Sequence, residues 1–192
     1  MRLIPLTLIA LACTLPLALR AQGWTTPGTN APATEIENFE LQSDNIIVKG
    51  YGEIGSVTTA EGVISVRCKE SDNITADTKQ YAIAVTFAAN QAEAGSIVDY
   101  DELDALIHDL DFLSKISYNV TTMPSFDAGM TTRSGFRAAA HSERRQGGIE
   151  LFLQFSSVVR VTLTPDQFAQ FQNLINQAKT SLDATKAKNS AS

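Results

Sequence analysis

Gly50-Tyr-Gly52-Glu-Ile-Gly55-Ser-Val57 is the string with the sharpest chemical meaning in this chain. It fits G-x-G-x-x-G, the spacing that lets a backbone approach a pyrophosphate at a helix N-terminus. That chemistry requires a helix directly after the glycines. Ser56-Val57-Thr58-Thr59 follows instead, and β-branched residues favour a strand. The string also fits the longer glycine-rich pattern of protein kinases over eight residues, but no H-R-D or D-F-G string accompanies it. Its glycines therefore read as sites of bulging or close backbone packing in a bent strand or hairpin.

A second grouping is Asp101, Asp104, His108 and Asp111, spaced so that all four fall on one face of a helix. Asp104 and His108, four apart, have the spacing of a helical metal pair. The plainer reading is a solvated face with acids near a helix N-terminus, and it is the one adopted. Cys68 shares a side of its strand with Ile64 and Val66 and reads as a small buried hydrophobe. A nucleophilic Cys68 would need a base, and His108 and His141 are the two histidines in the chain. The third grouping is basic and aromatic. Arg137, His141, Phe152 and Arg160 alternate away from the apolar positions of their strands, and Arg67 and Lys69 do the same in the first half. An exposed aromatic among arginines suits stacking or carboxylate contact, so Arg137, Phe152, Arg160 and Arg67 are the candidate binding residues. A covering layer over Phe152, or an oligomer partner there, is the competing reading. No catalytic residue, metal ligand or cofactor is assigned. G-x-S-x-G, H-E-x-x-H and paired C-x-x-C strings do not occur.

The elements that position these residues follow from periodicity. Alternating runs at 45–48, 63–70, 81–87, 136–142, 149–155 and 159–163 predict strands with one buried face. Short polar connections such as Ser71-Asp-Asn73, Arg133-Ser-Gly135 and the stretch 144–148 predict hairpins and an antiparallel sheet. Asp99-x-x-Glu102 and Thr164-Pro-Asp-Gln167 are capping-box patterns. Each precedes an amphipathic helix: Leu103, Leu106, Ile107, Leu110 and Leu113 in the first, Phe168, Phe171, Ile175, Ala178 and Leu182 in the second. Aligning Asp99 with Thr164 aligns Leu103 with Phe168, Leu106 with Phe171 and Leu110 with Ile175. The expected fold is thus α+β, antiparallel β-sheets with two amphipathic helices, the halves forming a loose duplicate of one strands-then-helix unit.

This order resembles the duplicated four-strands-then-helix folds of some single-strand nucleic-acid-binding proteins, in topology alone and without a shared motif. The resemblance implies the fold; the charge argues against carrying over the function. Lys and Arg number 15 against 21 Asp and Glu, a net charge of −6. Phosphate contacts need clustered positive charge, so nucleic acid is excluded as an expected partner.

Leu3 to Leu19 carry no charge and follow Arg2, with Arg20 and Ala21 after them. This reads as a secretory signal peptide over 1–21 cleaved near Ala21, an uncleaved membrane anchor being the alternative. Cys13 lies within the apolar run rather than at its end, which argues against a lipidated cysteine. Residues 22–35 read as a flexible linker, 36–183 as a single domain with halves 36–117 and 118–183, and 184–192 as a disordered tail. Asn73-Ile-Thr75 and Asn119-Val-Thr121 are N-glycosylation sequons. The expected product is a periplasmic or secreted, non-catalytic domain that binds a protein or small ligand through an outward sheet face. The alternatives are an exported hydrolase or metal-dependent enzyme, and a self-associating structural component of the envelope.

Overall fold

Alternation of apolar and polar side chains builds two separate meanders from this chain, and each meander hands over to a helix. The computed structural model describes residues 34–89, 92–143, 147–155 and 158–190. The signal-peptide reading, most of the linker and the arginines at 144 and 145 lie outside them. A six-residue helix α1 (Glu35–Glu40) comes first, followed by β1 (Ile47–Thr58), β2 (Val63–Asn73), β3 (Thr78–Ala89) and β4 (Ala92–Asp99). A single 3-10 turn leads into α2 (Leu103–Ser114). The second half repeats the order with β5 (Ser125–Thr131), β6 (Arg137–Glu143), β7 (Ile149–Gln154), β8 (Arg160–Leu163) and α3 (Pro165–Ser190). Strands β1-β2-β3-β4 form one antiparallel sheet and β5-β6-β7-β8 the other, each in sequence order.

The fold is therefore α+β, with two antiparallel four-stranded sheets and two main helices. One core joins them. Ile64, Val66, Ile83, Val85, Phe87 and Val98 come from the first sheet, and Ala138, Ala140, Leu151, Leu153, Val161 and Leu163 from the second. The apolar stripes of α2 (Leu103, Leu106, Leu110, Leu113) and α3 (Phe168, Phe171, Ile175, Ala178, Leu182) close it, at 3% exposure or less. Tyr81-x-Ile-x-Val-x-Phe87 on β3 matches Ile149-x-Leu-x-Leu-x-Phe155, which runs along β7 and one residue past it. The last residues of the two strings stack on each other, their centroids 6.0 Å apart. Equivalent positions of the two halves thus meet at the centre.

Several expectations are corrected. Two strands escaped the periodicity, β4 (AEAGSIVD) and β5 (SFDAGMT), because alanine and glycine carry no strong strand preference. Pairing with β3 and β6 makes them strands. The tail expected to be disordered from Ala184 is helical to Ser190, and Asn189 Nδ2 donates to Glu70 (3.0 Å) and Tyr81 (2.8 Å). Thr34, placed by the sequence in the expected linker, caps α1 in a capping box with Glu37. The Thr164–Gln167 box forms as expected, each backbone N–H meeting the other residue's side-chain oxygen. Asp99, expected to cap the first main helix, makes no such bond there. Its carboxylate instead accepts from the backbone N–H groups of Glu35 (2.7 Å) and Ile36 (3.1 Å), at the start of α1.

The glycine string lies within β1, with no helix after it. A bulge falls between Glu53 and Gly55. A Cβ on Gly55 would sit 2.8 Å from a methyl of Leu174, so the bare backbone lets α3 approach β1 closely. Among the described residues, no helix is long and apolar enough to cross a membrane.

Candidate functional site

Three of the four residues singled out by the sequence come together on the outward face of the second sheet. Register places Arg137 beside Thr131 and Gln154, with Arg160 opposite Gln154. The next row is Gly129, Ala139, Phe152 and Thr162, and the third is Asp127, His141 and Glu150. The strands' inward residues enter the core, so this row pattern follows directly from the period of two.

Phe152 occupies the middle of the face. The Arg160 guanidinium lies 3.6 Å from its ring centroid and that of Arg137 5.7 Å away. The aromatic expected to be exposed is in fact 2% exposed. Guanidinium groups are weakly hydrated and stack on rings, which lets them cover apolar area while their edges stay wet. Ala139 and Gly129 keep the rest of the Phe152 row flat. A Cβ on Gly129 would fall 2.8 Å from that of Ala139 and 3.1 Å from Arg137 Nε. The two cations are held sideways: Arg137 pairs with Asp127 at 2.7 Å and Arg160 with Glu150 at 2.8 Å. Thr162 Oγ1 also donates to Glu150, at 2.9 Å. Arg160 therefore has a stacked face, and both guanidinium groups have a paired edge, while Asp127, Glu150 and Arg160 remain exposed.

Arg67 is not part of this cluster. It projects from the outer face of the first sheet, 3.7 Å from Glu53 and 5.6 Å from the centroid of Tyr51. Lys69, its neighbour two residues on, is buried beneath α1 rather than outward in solvent.

The acidic helix grouping disperses. Asp101 sits in the turn before α2 and pairs with Arg133. Asp104 lies 3.5 Å from Lys179, and Asp111 pairs with Lys115 at 2.6 Å. His108 is 84% exposed, with Nδ1 3.2 Å from Asp109 Oδ1. It lines an open groove of about 410 Å³ with Phe112, Ile116 and Val120. Among the described residues no three His, Cys, Asp or Glu side chains converge as a metal site would need. Cys68 is buried, its Sγ 3.5 Å from the Ala178 carbonyl, and burial pushes the thiol pKa up. Asn73 of the first sequon is fully buried and bonded to Gln42 and Ala76, whereas Asn119 of the second is exposed.

The sequence pattern also missed the cluster around Tyr100. Tyr100 lies between the first sheet and α3, with Lys186 Nζ 3.6 Å over its ring and its hydroxyl donating to Asp183 at 2.5 Å. Lys179 bridges to the same carboxylate at 3.0 Å. The hydroxyl and the ammonium together hold Asp183 below the usual carboxylate range. The i, i+4 spacing of Lys179 and Asp183 was visible in the sequence; Tyr100 joins them through the tertiary fold alone. The chain matches no known protein family, no curated protein and no solved structure.

Proposed function

We propose that this chain is an exported, non-catalytic binding module whose second sheet recognises a carboxylate-bearing protein or small ligand through Arg137, Phe152 and Arg160. The observation that carries the reading is the placement of two guanidinium groups about one aromatic ring, Arg160 stacked at 3.6 Å and Arg137 at 5.7 Å from its centroid, on a face otherwise kept flat by Gly129 and Ala139. Stacking holds the plane of the Arg160 guanidinium, and a planar fork of donors suits bidentate carboxylate contact. Asp127 and Glu150 hold those forks from exposed positions. Exposed pairs of this kind contribute only about 0–1 kcal/mol, so a ligand carboxylate can replace them at little cost. Export rests on the uncharged run from Leu3 to Leu19 between Arg2 and Arg20. The non-catalytic reading is supported by the burial of the Cys68 thiol, which pushes its pKa up.

The test uses the purified chain immobilised beside an Arg137→Ala/Arg160→Ala variant and exposed to an envelope extract. A specific partner should bind the wild-type chain and lose about tenfold or more when both arginines are absent, as expected for two charge-assisted contacts. Equal capture by both proteins, or substrate turnover by the purified chain, overturns the reading.

A further inference from the structure

The outer face of the first sheet is built differently from that of the second, and the difference points to a second binding surface. At the positions matching Glu150 and Phe152 on β7, strand β3 carries Ala82 and Ala84. Where the second sheet fills its own face with a ring, the first leaves a shallow floor, and α1 lies on it. Ile36 and Phe39, three residues apart on α1, are 0% and 8% exposed, and neither belongs to the central core.

The floor is edged by polar groups that are themselves buried. Lys69, Ser71, Asn73 and Asp99 are all 6% exposed or less. All four take partners from the 34–42 segment. Glu40 pairs with Lys69 at 2.6 Å and accepts from Ser71 at 2.5 Å, and Lys49 reaches the same carboxylate at 2.6 Å. Asn73 donates to Gln42 at 3.0 Å. Asp99 receives the first backbone N–H groups of the helix, and Arg133 steadies that carboxylate from 3.0 Å. A buried lysine and a buried aspartate are costly unless paired, so the sheet requires an occupant. A six-residue helix has no stability of its own in water, so the groove imposes the helix rather than the reverse.

We propose that this face is a receptor groove for a short acidic helix, and that α1 is its resident occupant in cis. The partner it fits is a helix from another polypeptide carrying an aliphatic residue, an aromatic three positions later and a glutamate immediately after. Helix-in-groove recognition reads such i, i+3, i+4 anchors. Lys69 and Lys49 would take the glutamate, Ala82 and Ala84 the apolar pair, and Asp99 the amino end. The tether from α1 to β1, residues 41–46, keeps the resident helix at an effective concentration on the order of millimolar, so an incoming helix binds strongly only when α1 is weakened or outcompeted.

The probe is a fluorescein-labelled peptide of residues 33–43 of this chain, titrated against the full chain by anisotropy. Binding to the Phe39→Ala chain should be about tenfold or more tighter than to wild type, since the resident helix then competes poorly. Adding Lys69→Met to that chain should weaken it again by about tenfold, as should Glu40→Gln in the peptide. Near-UV circular dichroism verifies the fold of each variant. Should Phe39→Ala fail to fold, Glu40→Gln in the chain loosens the same helix while keeping its apolar contacts. Equal affinity for wild-type and folded loosened chains, or indifference to Lys69→Met, overturns the proposal.

Discussion

Arg160 over Phe152, Gly55 under Leu174 and Gly129 beside Ala139 are single-residue solutions to close approach. Gly129→Ala is expected to destabilise the chain by about 1–3 kcal/mol, because the clash is with a rigid Cβ and not with the end of a flexible chain. Chemical denaturation checks this, and the same variant should alter partner capture by shifting Arg137. Gly55→Ala should cost less, since Leu174 can rotate its methyl away. Cys68 gives a further residue-scale prediction. Buried, with its thiol pKa raised, it should resist iodoacetamide at pH 8 and react fully once the chain is unfolded. Rapid alkylation of the native chain would contradict the placement. At this scale the sequence was informative about grouping but misleading about exposure. Phe152 sits at an outward strand position, yet the arginines of the two flanking strands cover it.

At the scale of elements, the placement of α1 depends on an ionised carboxylate. Hydrogen bonds from Lys49, Lys69 and Ser71 overcome the desolvation of Glu40 and hold its carboxyl below the usual range. A carboxyl whose pKa is lowered by folding contributes stability that is complete above its unfolded value and disappears as pH falls through the folded one. Protection factors of the amides in 35–40, taken relative to the intrinsic exchange rate at each pH, should therefore be high at neutral pH and fall in acid below the ordinary glutamate pKa, before those of the core amides of β3 do. Simultaneous loss of both would show that α1 has no local latch. Asp183 has a lowered pKa as well, so the end of α3 should loosen in the same direction. The capping box of α3 is a cleaner case. Thr164→Ala removes one bond at the helix start and should cost about 1 kcal/mol in thermal unfolding. That box was legible because it is local. The capping role of Asp99 was not, because its partners at 35 and 36 lie more than sixty residues away.

At the scale of the molecule, one apolar core serves both halves. Phe155 stacks on Phe87 and meets Phe136 edge-on at 5.5 Å, while Phe136 contacts Phe171. Phe155→Ala is expected to lower stability by about 3–5 kcal/mol, as for large cavities in cores. Calorimetry should still show one transition, because the sheets and helices share the same buried surface. Two separated transitions would mean that the halves fold independently.

The sequence by itself determined the α+β class, the two main helices, six of the strands and the repeated order of elements. These depend on periods of two and 3.6 and on capping patterns within a few residues, which are local quantities. Only the tertiary structure decided that α1 exists, that alanine-rich segments become β4 and β5, and that one sheet face holds a helix while the other is closed by Phe152 and its arginines. Those outcomes depend on which side chains meet between neighbouring strands or, for α1, across more than sixty residues, and such meetings leave no periodic trace.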